Sequence, residues 1–186
     1  VNRRVLGIVA AAVAAAALLL WLLLRSPSSP PPPADITPVQ EMATPTPAPE
    51  QRVVLLFGGS DGLLHPELRS VPLPVELEAR IRIVLDQLLA GPDSGLAPTI
   101  PYPAEVQAVF LDGLGNAWVD LTPPPTPLAG SSTEILLTYG VVNTVLLNCP
   151  ELHAVQLLFG GTEVATLTGH LDLSRPLTLN KGFIAS

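Results

Sequence analysis

The feature that most limits what this chain can become is a run of twenty uncharged residues, Val5–Leu24, reading "VLGIVAAAVAAAALLLWLLL". At ~1.5 Å per helical residue it reaches about 30 Å, the hydrocarbon thickness of a bilayer. A helix packed on a soluble domain keeps one polar face, and this run has none. A transmembrane helix is the expectation. A cleaved signal peptide, the competing reading, would have a shorter apolar stretch and a small-x-small site, whereas here the bulkiest residues come last and "RSPSSP" follows. The single cysteine, Cys149, lies far from any lipid-processing position. Arg3, Arg4 and the amino terminus flank one end of the run and Arg25 the other, a bias that keeps the N-terminus cytoplasmic and places the remainder outside. Trp21 falls where an interfacial anchor would sit.

The next segment cannot fold. Residues 26–50, "SPSSPPPPADITPVQEMATPTPAPE", are so rich in proline that donors are missing and φ is fixed throughout, which rules out helix and sheet. In polyproline geometry the stretch reaches roughly 75 Å, the length of a stalk. Such segments also serve as ligands for small recognition domains, but those work mainly inside cells. The expected organisation is therefore 1–25 as cytoplasmic stub and membrane anchor, 26–50 as a disordered proline-rich linker, and 51–186 as one folded domain. That domain carries six basic residues against thirteen acidic ones, a net charge of −7. It has no basic stripe, so nucleic acid is not an expected partner, and an anionic lipid surface would repel it. Its length suffices for a core without disulfides.

Within 51–186 the pattern alternates between two periods. "RVVLLF" at 52–57 reads as a buried strand, and a short edge strand is expected near Leu68–Leu73, limited by Pro72 and Pro74. From Val75 the period becomes helical: Leu77, Ile81, Val84, Leu85 and Leu88 form a stripe, with Glu76–Arg80 and Glu78–Arg82 spaced for i, i+4 pairs, and Gly91-Pro92 stops the helix. "AEVQAVFLDGLGNAWVDLT" reads as a hairpin with its turn at Asp112–Asn116. Ser131-x-x-Glu134 has the form of a capping box opening a second helix, in which Gly140 would let the helix approach the sheet closely. "HAVQLLF" at 153–159 is the last long strand.

The pentapeptide "LLFGG" occurs at 55–59 and again at 157–161. A phosphate loop needs a helix directly after the glycines, usually with a lysine, and neither copy has one; Lys181 is the only lysine. A tandem repeat would need similar segments after both copies. Both therefore read as core strands ending in glycine-permitted reversals, with Ser60/Asp61 and Thr162/Glu163 in the turns.

The reactive inventory points away from catalysis. His65 in a loop, His153 at a strand start and His170 in a terminal turn have no metal-ligand spacing. Cys149 beside a helix C-terminus reads as an inert thiol. Asp112 and Asp120 could be drawn as paired carboxylates but fit turn formers or solvated strand-end residues, and Asp61 with Glu67 near His65 could be drawn as a weak cation site without a recognised spacing. No catalytic, cofactor-binding or metal residue is assigned, and no cofactor or enzymatic activity is expected.

The order of strand, short strand, helix, hairpin, capped helix and strand, carried by "VVLLFGGSDGLLHPELRSV", "LLAGP", "AWVDLT" and "SSTEILLTYGVVNTVLLNCPELHAVQLLFGG", resembles the GerMN domain of the sporulation and spore-germination family over nearly all of 51–177. The resemblance implies a compact domain of bacterial envelope proteins outside the cytoplasmic membrane. It is also similar to the ring-building domains of secretion machines, which implies scaffolding and not chemistry. The chain departs from the germination protein in having one domain, an apolar anchor instead of a lipidated cysteine, and the proline stalk. The expected fold is α+β, a mostly antiparallel sheet packed by two helices. The expected function is a membrane-tethered interaction module binding another envelope protein or its own copies; the rival is a small-ligand or cell-wall sensor using the turns at Gly58–Gly62 and Gly160–Glu163 as a pocket rim.

Overall fold

A continuous run of β-branched and large apolar residues drives β1 (Glu50–Gly58), and the pleat sends Val53, Leu55 and Phe57 to one buried face. In the computed structural model, which describes Trp21 and residues 49–186, β1 pairs antiparallel with β2 (Leu64–Pro72) over its full length. The expected membrane helix, apart from Trp21, and nearly all of the proline-rich linker lie outside the described residues. Among those described, no helix is long and apolar enough to cross a membrane.

After the hairpin come α1 (Leu77–Leu89), β3 (Val106–Leu111), β4 (Asn116–Leu121), α2 (Ser131–Asn148), β5 (Ala154–Phe159), the short β6 (Thr162–Glu163) and a 3-10 turn at Lys181–Phe183. The strands make two sheets: the β1–β2 hairpin alone, and a four-stranded sheet ordered β3-β4-β5-β6. Antiparallel pairing dominates, as expected, but β4 and β5 run parallel, from Asn116↔Ala154 to Leu121↔Phe159. Two parallel strands need a crossover between them, and α2 supplies it. The helices pack on each other and serve both sheets, α1 touching β1 and β3, and α2 touching β1 and β5. A shared core follows, in which Ile81, Val84 and Leu85 of α1 meet Val141, Val142 and Val145 of α2, all fully buried.

Three local expectations are corrected. The second strand begins at Leu64, not Leu68, so it is nine residues long, contains Pro66 and places His65 within a strand. A two-stranded sheet makes β2 an edge, where a proline costs no ladder bond. Arg80 and Arg82 do not pair with Glu76 and Glu78. Arg80 reaches Glu151 at 2.8 Å, and Arg82 donates to the Val106 carbonyl at 2.6 Å. Partners that are already fixed in place win over flexible neighbours on the same helix. The expected capping box does not form either: α2 is entered from Gly130 at φ 88°, with no side-chain cap, and Glu134 is fully buried and turned elsewhere.

The two LLFGG copies end their strands differently. Gly160 and Gly161 have φ of 62° and 74°, the signature of a tight two-residue hairpin turn, and Thr162 and Glu163 form β6 instead of the turn itself. Gly58 still belongs to β1. Beyond it Gly59 donates to the Leu63 carbonyl at 2.8 Å, and the chain reverses through Ser60, Asp61 and Gly62, the last at φ 78°.

Candidate functional site

The polar side chains that look chemical in the sequence are best judged by what they hold. Glu134 is the most buried carboxylate among the described residues, and both of its oxygens are engaged. Oε1 accepts from the Thr166 hydroxyl at 2.6 Å and the Leu167 and Thr168 amides at 2.7 and 3.0 Å; Oε2 accepts from the Thr168 hydroxyl at 2.6 Å and the His170 amide at 2.9 Å. Burial pushes this carboxyl up, but the hydroxyls of Thr166 and Thr168 and the loop amides outweigh it and hold it at about 2, against an ordinary 4.5. Glu134 is thus an organiser of the loop after β6. Sequence reasoning missed this; the available signal was the hydroxyl-rich "TLTGH" at 166–170, a ready donor set.

Helix α2 also carries three polar residues that reach outward from the core layer. The Asn148 amide accepts from the Val54 N–H at 2.9 Å and donates to the Val54 carbonyl at 2.8 Å. One turn earlier, Thr144 accepts from the Leu56 N–H at 3.2 Å, while Thr99 donates to the Leu56 carbonyl at 2.5 Å. Gly58 exchanges bonds with Ala97 at 3.0 and 2.8 Å. Alternate residues 54, 56 and 58 present their backbone groups away from β2, so this edge of β1 is closed by side chains and one loop residue. Asn143 does the same for the C-terminal segment, exchanging two bonds with the Asn180 backbone at 2.8 and 2.9 Å. The "VNT" and "N" of "VVNTVLLN" are structural.

The remaining candidates follow suit. Asp61 accepts from the Leu63 amide at 3.0 Å and faces His65 at 3.0 Å, and both contacts hold its carboxyl below the ordinary 3.8. Glu67 is not part of that pair. Burial raises its carboxyl, but bonds from Ser94, Arg69 and the Asp93 amide bring it down to about 2. Arg69 in turn donates to the Gln87 and Gly91 carbonyls, tying β2 to the end of α1. Asp112 closes the β3–β4 turn through the Leu114 and Asn116 amides, and Asp120 receives the Gly161 amide at 2.9 Å, so the two carboxylates serve opposite ends of the hairpin and do not pair. His153 donates its amide to Gly115 at 2.7 Å and packs its ring on that glycine. Cys149 is fully buried, and burial pushes its thiol up to about 11. Among the described residues no group of three or more His, Cys, Asp or Glu could hold a metal.

Among the described residues, shallow cavities of about 200, 390 and 300 Å³ occur, and none of these is lined by a residue of the Gly58–Gly62 or Gly160–Glu163 turns. The third is mainly apolar and runs along the outer face of the β1–β2 hairpin between Val54, Leu56, Pro66 and Ile184, with Lys181 at its side. Large apolar side chains stand out in solvent at Leu68, Val75, Phe110 and Leu114, the last two on the β3–β4 hairpin.

The element order and paired sheets define a small α+β domain of the GerMN kind. The tandem GerMN domains of the sporulation protein GerM from Bacillus subtilis share this fold with a TM-score of 0.54 at 14% identity, over 70% of this chain and 46% of that one. A Clostridium perfringens protein described as a lipoprotein matches at a TM-score of 0.50 and 20% identity, over 69% of this chain and 87% of that one. No curated protein matches in sequence. The chain belongs to the Germane family, described as sporulation and spore germination, whose model matches residues 55–165.

Proposed function

We propose that this chain is a membrane-tethered, extracytoplasmic GerMN-like domain of the bacterial envelope that acts as a non-catalytic protein–protein interaction module. One observation carries the reading. Asp61, Glu67, Asp112, Asp120 and Glu134 are each occupied in holding the chain's own loops, whereas Leu68, Val75, Phe110 and Leu114 stand in solvent. Carboxylates saturated by fixed donors are poor acids and bases, while exposed apolar side chains gain free energy when a partner buries them. Tethering is supported by the uncharged run Val5–Leu24 and the proline-rich stalk, and an envelope location by the fold likeness to a protein described as a lipoprotein. Photo-cross-linking residues placed at Leu68, Phe110 and Leu114 in intact cells should capture a protein from at least one position. Capture from none of the three would remove the interaction reading. Release of the chain from membranes by alkaline carbonate would remove the anchor.

A further inference from the structure

The described residues include six cations, and four have partners. Arg69 pairs with Glu67 and Asp93, Arg80 with Glu151 and Arg175 with Asp172, while Arg82 donates to the Val106 and Gln107 carbonyls. The side chains of Arg52 and Lys181 hold no ion pair or hydrogen bond among the described residues. Both belong to one face. Lys181 borders the apolar groove of about 300 Å³ on the outer side of the β1–β2 hairpin, and Arg52 precedes Val54 by two residues on the same side of the pleat. Leu68, opposite Val54 and 61% exposed, extends the apolar floor. Glu50 precedes Arg52 by two residues on that side, farther from Val54.

A complementary shape stands elsewhere on the chain. Val75 is 82% exposed just before α1. Its backbone is held: Pro72 and Pro74 fix φ on both sides of Leu73, and Arg80 donates to the Val75 carbonyl at 3.0 Å. Glu76 and Glu78 follow it, exposed, with side chains that bond to nothing among the described residues. A rigid apolar knob flanked by carboxylates without partners among the described residues matches an apolar groove flanked by cations without partners among them. The net charge of −7 does not oppose such a contact strongly, because repulsion beyond about 8 Å is screened at physiological salt while the facing pairs remain.

We propose that Val75 of one copy inserts into the groove between Val54, Pro66 and Ile184 of the next, with Glu76 and Glu78 facing Lys181 and Arg52. Knob and groove are different patches, so the contact is heterologous and builds head-to-tail rows. This deepens the interaction reading, on which it rests, by selecting a second copy as the partner. One valine and two exposed charge pairs make a weak contact, suited to chains concentrated by confinement to a common surface.

Cross-linking of the full chain in detergent micelles tests it, since buried Cys149 leaves engineered cysteines as the reactive ones. A chain carrying both Val75→Cys and Leu68→Cys should give a ladder of dimers, trimers and longer species with a short bismaleimide. Mixed single variants should give one dimer band, and each alone should give none. Adding Arg52→Glu and Lys181→Glu should weaken the ladder about fivefold or more, as reversal of facing charges does. An unreactive mixture, a ladder indifferent to charge reversal, or Val75→Cys alone cross-linking as well as the mixture would each overturn the head-to-tail contact. If the mixture is unreactive while cellular photo-cross-linking captures a different protein, the interaction reading survives without this contact. If both fail, both are lost.

Discussion

The side-chain amide of Asn148, at the end of α2, forms two hydrogen bonds with the backbone of Val54, at 2.9 Å from its N–H and 2.8 Å to its carbonyl, taking the place of a neighbouring strand. A helix residue thereby completes a sheet edge.

Asn148→Ala leaves both Val54 groups without partners. With these two bonds and the 2.7 Å bond from Asn148 to the Thr144 carbonyl lost at a partly buried site, the expected destabilisation is about 2–3 kcal/mol, measured by urea unfolding. Asn148→Asp keeps one acceptor for the Val54 N–H but sets a carboxylate against the Val54 carbonyl. It should therefore recover little of the loss.

Glu134 ties stability to acid. Its carboxyl titrates at about 2 in the folded chain and near 4.5 once unfolded, so the folded form binds fewer protons between those values. The stabilisation is complete above about pH 4.5 and fades as pH falls toward 2. Glu67, also held at about 2, adds to the same window. Glu134→Gln should lower stability at pH 7 by about 2–3 kcal/mol, because an N–H₂ then faces amide and hydroxyl donors. It should also flatten the acid limb when urea midpoints are plotted against pH. An unchanged limb would mean that the loop finds other acceptors.

Gly140 faces the Thr99 methyl so closely that a Cβ there would overlap it, with Leu64 at 3.4 Å behind. Gly140→Ala gains about 1 kcal/mol of helix propensity but displaces Thr99, whose hydroxyl holds the Leu56 carbonyl. The expected net change is a loss of about 1–3 kcal/mol in thermal melts. Thr99→Ser keeps the hydroxyl and removes the methyl, so the double variant Gly140→Ala with Thr99→Ser should recover most of that loss.

Cys149 combines complete burial with a thiol raised to about 11. At pH 8 it should react with a thiol reagent only when the domain opens, so the labelling rate should follow the unfolded population as urea is added. Fast labelling in native buffer would show local opening at the end of α2.

The parts of the fold that were legible in the sequence are those set by neighbouring residues. The stripe from Leu77 to Leu88 gave α1, alternation through Val106–Leu121 gave the β3–β4 hairpin, and the apolar runs before each Gly-Gly gave β1 and β5. What misled was local grammar overruled by distant partners. Ser131-x-x-Glu134 has the spacing of a cap, but Glu134 meets donors 32 to 36 positions later, buried and fixed, which a solvent-exposed cap cannot match. The same applies to Arg80 and Arg82, drawn off their helix by Glu151 and the β3 carbonyls. The separation into two sheets was not legible, because the free edge of β1 is occupied by Thr144 and Asn148 of α2, which lie far along the chain. Asp112 closes its own turn, and Asp120 holds the next turn over.

The groups that close the edge of β1 lie far along the chain, Thr144 and Asn148 being 88 and 94 positions from the backbone they serve. At translation rates of about 5–20 residues per second, roughly 5–20 seconds separate the birth of β1 from that of its covering helix. During that interval the hairpin can form, yet its sticky side stays uncovered. The emerging chain is therefore at its most vulnerable to misassociation before its second half exists, and a holding chaperone would have its greatest effect then.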